Sequence, residues 1–244
     1  MTWHADRTRP IARLARTIVF GLGCVNSAWV APAMAQSAAR DANAAASQRA
    51  SDSADDGFQS LFDGSTFEGW EGNRQWFRIE SGEVVAGSLE RAIPHNEFLC
   101  TERKYGDFEL KLDVKLVGEG DNAGVQFRTV RVPDSTEVSG YQCDVGSAWG
   151  RPVWGGLYDE SRRNKMLAEG APQRVAAALK PGDWNTLMVR AIGNHIQIWL
   201  NGTLTVEFTE TDPAIAREGV IALQIHSGPP TEARYRNIRI RPLN

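Results

Sequence analysis

Leu187-Met188-Val189-Arg190-Ala191-Ile192-Gly193-Asn194-His195-Ile196-Gln197-Ile198-Trp199-Leu200-Asn201-Gly202-Thr203-Leu204-Thr205-Val206 decides the fold class. Two dipeptides, Gly193-Asn194 and Asn201-Gly202, separate three runs rich in alternating apolar residues. Alternation with period two puts one side of each run in a core and the other side outside it. Gly-Asn and Asn-Gly reach positive φ at little cost, which a two-residue hairpin turn demands. The stretch therefore predicts three consecutive antiparallel strands. Asn201-Gly202-Thr203 also spells a glycosylation sequon, but the turn explains it fully.

Similar runs flank this core stretch. Phe108–Leu116 alternates strictly, and Gly219–His226 and Tyr235–Ile240 read as further strands. Gly, Asn, Asp and Pro bound these runs, and no internal repeat is visible. Leu167–Leu179 is the one stretch that suits a helical turn, but Gly170 and Pro172 interrupt it. Roughly a dozen strands without an amphipathic helix predict an all-β, jelly-roll β-sandwich.

The 244 residues carry 27 Lys+Arg and 30 Asp+Glu, a formal charge of −3. Phosphate-binding surfaces carry a basic excess, so a nucleic-acid partner is disfavoured. Three cysteines are too few for a disulfide scaffold or a four-cysteine zinc site. P-loop, dinucleotide-binding, nucleophile-elbow and H-E-x-x-H motifs are all absent.

Arg7, Arg9, Arg13 and Arg16 precede an apolar stretch from Ile18 to Ala31, followed by Ala33-Met34-Ala35. This order reads as a secretory signal peptide over residues 1–35. Its removal takes away four Arg and one Asp and moves the formal charge to −6. Residues 36–57 hold almost no large apolar side chains and read as a flexible leader. The expected localisation is exported, periplasmic or extracellular, with no membrane association once the signal is cleaved. Cys100 and Cys143 then remain in an oxidising compartment, either as a disulfide or as two buried free thiols.

Strand parity locates the candidate chemistry. Ala123, Val125 and Phe127 form an apolar set, which leaves Asn122, Gln126 and Arg128 on the opposite face. Tyr141, Cys143 and Val145 oppose Gln142 and Asp144; Ile221, Leu223 and Ile225 oppose Gln224 and His226. Solvated faces usually carry Lys, Glu and Thr, as Lys111, Asp113 and Lys115 illustrate. Amides, a carboxylate, a guanidinium and an imidazole match sugar hydroxyls and carbonyls instead. The loop from Gly146 to Pro172 adds Trp149, Trp154, Tyr158, Asp159, Glu160, Arg162 and Arg163. Long loops on a β scaffold tend to carry function, and Trp and Tyr rings suit stacking on pyranoses. The competing reading is a solvated sheet face with a rim loop packed on its own aromatics.

Ordered motifs carry a family resemblance. Phe58-Gln59-Ser60-Leu61-Phe62-Asp63-Gly64 leads to Gly69-Trp70, then come Tyr105-Gly106-Asp107-Phe108-Glu109-Leu110 and Asn122-Ala123-Gly124-Val125-Gln126-Phe127-Arg128. Gly140-Tyr141-Gln142, Asp183-Trp184-Asn185, Leu200-Asn201-Gly202, Leu223-Gln224-Ile225-His226 and Tyr235-Arg236-Asn237-Ile238 follow in order. Over residues 58–244 the chain resembles the 3-keto-disaccharide hydrolase domain family, which has a concanavalin- or laminin-G-like jelly roll. Many members have Glu where Gln142 stands, so here that position cannot ionise.

The resemblance implies an exported carbohydrate-active enzyme that cleaves the glycosidic bond of 3-keto-glycosides. A ketone at C3 acidifies the C2 hydrogen, so abstraction, elimination and then hydration replace ordinary glycosidase chemistry. His226 or Asp144 is expected as the base, Arg128 as the enolate stabiliser, and Glu160 or Tyr158 as the acid for the leaving oxygen. Gln126, Gln142 and Gln224 would hold hydroxyls, and Trp154, Tyr158 and Arg163 would line the substrate. A divalent metal ion on Asp144 and His226 is an alternative electrophile. The implied partners are the 3-keto sugar and, functionally, a sugar 3-dehydrogenase that makes it. The alternative function is a non-catalytic carbohydrate-binding module.

Overall fold

The structure, a computed structural model, describes residues 57–243. The expected signal peptide at 1–35 and the expected leader, apart from Gly57, lie outside the described residues. The described residues form sixteen strands: Gln59–Ser60 (β1), Trp70–Glu71 (β2), Phe77–Glu80 (β3), Glu83–Ser88 (β4), Glu97–Thr101 (β5), Phe108–Gly118 (β6), Asn122–Arg131 (β7), Val138–Ala148 (β8), Arg151–Pro152 (β9), Leu157–Glu160 (β10), Lys165–Ala168 (β11), Asn185–Ile192 (β12), His195–Leu200 (β13), Thr203–Thr209 (β14), Val220–Ile225 (β15) and Thr231–Pro242 (β16). A single helix, Pro172–Ala178 (α1), lies between β11 and β12.

Two antiparallel sheets face each other across one core. The first runs β14-β13-β12-β6-β16-β4-β3, with β1 on β16; the second runs β11-β10-β8-β7-β15-β5-β2, with β9 on β8. The three strands of the opening stretch are consecutive neighbours, paired Leu187↔Leu200 and Ile198↔Val206. Asn201 sits in its turn at φ +49, and its side-chain nitrogen donates to Ala178 O at 2.9 Å. That engaged amide matches a turn role rather than a glycosylated surface. Pro172 starts the helix instead of breaking it, because the first helical position needs no amide hydrogen.

Inward residues of both sheets interdigitate. Phe108 of β6 meets Phe127 of β7 edge-on at 6.1 Å, and Phe127 stacks on Tyr141 of β8 at 5.6 Å. Each such aromatic contact adds about 1 kcal/mol beyond area burial. Tyr235 of β16 is fully buried, and its hydroxyl donates to Gln224 O of β15 at 2.5 Å. The first sheet thereby fixes the backbone directly behind the polar face of the second.

Cys143 lies in the main core, whereas Cys100 belongs to a separate cluster with Phe98, Val138 and Ala222 on the outward face of the second sheet. A sheet stands between the two sulfurs, so both are buried free thiols and the disulfide alternative falls away. Burial pushes the Cys100 thiol up to about 12.

Candidate active site

The polar face predicted from parity exists. On β7, β8 and β15 the core takes Ala123, Val125, Tyr141, Cys143, Val145, Ile221, Leu223 and Ile225. The residues between them point away from it. Register aligns Gln126 with Gln142 and Gly124 with Asp144, and Gln224 lies opposite Gly124. β10 continues the face beside β8, with Tyr158 opposite Gln142. A cavity of about 400 Å³ opens there, lined by Asn122, Gln142, Asp144, Ser147, Ala148, Trp149, Tyr158, Glu160 and His226.

Amides order its floor. Gln142 Nε2 donates to Asp144 Oδ1 at 2.5 Å, and Gln126 Nε2 donates to Gln142 Oε1. Gln224 Nε2 reaches Glu160 Oε2 at 3.3 Å. A carboxylate accepts only, so each acid orients the amide that faces it. Gly124 makes room for this chain: a Cβ there would stand 2.5 Å from Gln142 Cδ. His226 is half-buried at the wall, and its Nδ1 donates to Ser227 O at 2.7 Å, which leaves Nε2 for the cavity.

Two carboxyls in this cavity titrate near neutrality. Burial lifts Asp144 to about 7, the charge of Glu160 adds to the lift, and the Gln142 hydrogen bond opposes it. Burial likewise lifts Glu160 to about 7, reinforced by the charge of Glu137. Burial also raises the Tyr158 hydroxyl. Acids displaced toward neutrality inside a cleft are the groups that acid–base chemistry would draw on.

The structure gathers Asp144, Glu160, His226, Gln142 and Tyr158 as expected. Gln126 and Gln224 stand on the same face but are fully buried beneath the lining, so they position Gln142 and Glu160 rather than touch a ligand. Their Oε1 atoms have no hydrogen-bond partner among the described residues.

Three further expectations are corrected. Arg128 leaves the face because a bulge between Phe127 and Val130 turns its backbone to φ +48. Its guanidinium donates to Gly106 O at 2.9 Å, Gly193 O at 2.7 Å and Asp107 Oδ1 at 2.8 Å, which ties the second sheet to the first. Trp154 is buried in the main core, not in the cavity. Arg163 pairs with Asp159 and Glu210, and Glu210 also accepts from the core residue Tyr141. Asp159 sits opposite Tyr141, on the inward parity of β10, so Arg163 lies behind the sheet from Glu160.

Asn122 and Trp149, which parity and the aromatic loop placed on the candidate face without a role, line the cavity together with Ser147, which the sequence did not single out. The two-residue turn Trp149-Gly150 was the available signal for Trp149. Among the described residues, no group of three or more His, Cys, Asp or Glu side chains could hold a metal ion, although Asp144 and His226 line one cavity.

The fold is an antiparallel β-sandwich with two acids and their amide partners on one outward face. Residues 57–241 match the 3-keto-alpha-glucoside-1,2-lyase-like domain, and the chain belongs to that family. No curated protein matches it. Among solved structures, a Parabacteroides distasonis protein provisionally named a glycosyl hydrolase is similar at 21% identity, TM-score 0.59, covering 77% of this chain and 95% of that one. A second protein from the same organism and with the same provisional name has 23% identity, TM-score 0.57, and coverage of 76% and 99%. A Bacillus subtilis carbohydrate-binding module has 14% identity, TM-score 0.50, and coverage of 71% and 95%. Identities this low carry the fold alone.

Proposed function

We propose that this protein is an exported enzyme that cleaves 3-keto-glycosides by eliminating the C1 leaving group. The observation that carries the reading is the pair Asp144 and Glu160, both lifted to about 7 in one cavity. Near neutral pH one can be ionised while the other holds a proton.

Asp144 takes the C2 proton that the C3 ketone has acidified, and the electron pair moves into a C2–C3 enolate. The pair returns as C1=C2, the C1–O bond breaks, and Glu160 protonates the departing oxygen. One proton is gained by Asp144 and one is lost by Glu160. The products are an enone sugar and the free alcohol; addition of water at C1 completes a net hydrolysis. His226, tethered through Nδ1 at the cavity wall, takes the task first expected of Arg128 and holds the developing enolate oxygen. Gln142 and Asn122 meet hydroxyls. The substrate is a sugar already oxidised at C3, so a sugar 3-dehydrogenase must supply it.

The test uses a 3-keto-glucoside and its parent glucoside in D2O. Turnover of the keto sugar alone, with deuterium entering C2, supports the reading; turnover of the parent alone overturns it. Binding of either sugar without turnover marks a carbohydrate-binding module, a use of this sandwich that the Bacillus subtilis neighbour illustrates. Export rests on residues 1–35, and N-terminal sequencing of secreted protein beginning at Gln36 tests it.

A further inference from the structure

Trp149 breaks a local rule. It sits first in the two-residue turn between β8 and β9, where Ala148 pairs with Arg151. Its φ is +51 and that of Gly150 is +74, a turn form that favours Asn-Gly because a larger side chain crowds the left-handed backbone. A bulky residue held there usually earns its place by packing in the core. Trp149 does not, since 65% of it is exposed, more than any other large hydrophobic residue described.

The ring is nonetheless held. The Arg151 guanidinium stands over it at 5.6 Å, and Glu169 pairs with Arg151 in turn. Tyr158 flanks it at 5.9 Å with the planes 46° apart. Trp149, Tyr158 and Glu160 all line the same cavity. An oriented, open indole at the mouth of a cavity whose floor holds the acids has the form of a stacking platform.

We propose that Trp149, flanked by Tyr158, forms the subsite for the leaving group and selects glycosides whose leaving group presents a ring with an apolar face. Such a ring is either a second pyranose or a phenol, and both offer a face to the indole. This inference rests on the cleavage reading above. The keto sugar occupies the floor at Asp144, and the departing group extends outward past Glu160 to the mouth.

The test compares wild type, Trp149→Asn and Trp149→Phe on three substrates: methyl 3-keto-glucoside, phenyl 3-keto-glucoside and a 3-keto-disaccharide. Trp149→Asn suits the turn, so its Tm should equal or exceed that of wild type. The expected result is a loss of about tenfold in kcat/KM for a ring-bearing substrate, mostly in KM, with the methyl glycoside unchanged. Trp149→Phe should recover most of the loss. A loss on the phenyl glycoside alone assigns a phenol, and a loss on the disaccharide alone assigns a sugar. An equal loss on all three substrates, or no loss on any, overturns the proposal. If wild type cleaves none of them, the cleavage reading fails, and calorimetric binding of phenyl glucoside decides the platform separately. Binding weakened by Trp149→Asn upholds it; unchanged binding, or none in wild type, overturns it.

Discussion

Gln142 donates to Asp144 across 2.5 Å, two positions along the same strand and on the same face. That contact gives the buried carboxylate one neutral partner and no cation. Burial lifts the Asp144 carboxyl to about 7, and the single amide partner opposes that lift without locking the group as an ion. The Gln126 amide behind Gln142 holds this orientation.

Asp144→Asn should lower kcat by about 10²–10⁴-fold, the usual weight of a positioned base. The new amide oxygen still accepts from Gln142, so thermal stability should hold or rise. Exchange at C2 in D2O should vanish with it; persistent C2 exchange in this variant would remove Asp144 as the base.

The pH profile of kcat/KM should be a narrow bell centred near 7, since both limbs arise from carboxyls at about 7. The stability profile follows from the same shifts. These carboxyls bind protons more tightly folded than unfolded, so their contribution is greatest at low pH. It is lost as pH rises through about 7. Melting curves between pH 5 and 8 should therefore show a falling Tm, with a shallower fall in Asp144→Asn.

Glu160→Gln should discriminate by leaving group. An alkyl glycoside, whose oxygen needs a proton to depart, should slow by about 10²-fold or more. A nitrophenyl glycoside should be nearly unaffected. Equal loss on both would take the acid role away from Glu160.

His226→Ala should abolish turnover with little change in Tm, because the ring is half-buried and makes one hydrogen bond to its neighbour's carbonyl. A fully active variant would remove the imidazole from the mechanism.

Arg128→Met should do the reverse. It removes three hydrogen bonds joining the sheets and leaves Asp107 without its cation, a cost of about 3 kcal/mol. Denaturation should show that loss while kcat on a keto-glycoside stays within about twofold of wild type.

Parity made the site floor legible in the sequence. Alternation around Ala123, Tyr141 and Ile221 is enforced by burial on one side, and a strand cannot slip by one residue without turning its core outward. Gln142, Asp144 and His226 follow from that constraint. Parity fails where the backbone leaves the ladder. Arg128 sits at a bulge that no glycine or proline announces, and its partners are 21 to 65 positions away. Trp154 and Arg163 lie in a long excursion whose side of the sheet depends on tertiary contacts. Trp149 was legible only as one aromatic of that loop, because its place beside Tyr158 and Arg151 depends on contacts the sequence does not print.

The short strand β10 serves both sides of its sheet. Asp159 turns inward to Arg162 and Arg163, while Tyr158 and Glu160 on either side of it turn to the cavity. The anchored middle residue makes the segment an armature. Either flanking group can be exchanged without resetting the chain that bears it. Among relatives, new tastes in substrate should therefore arise by swaps at 158, with Asp159 and the catalytic acid at 160 left untouched.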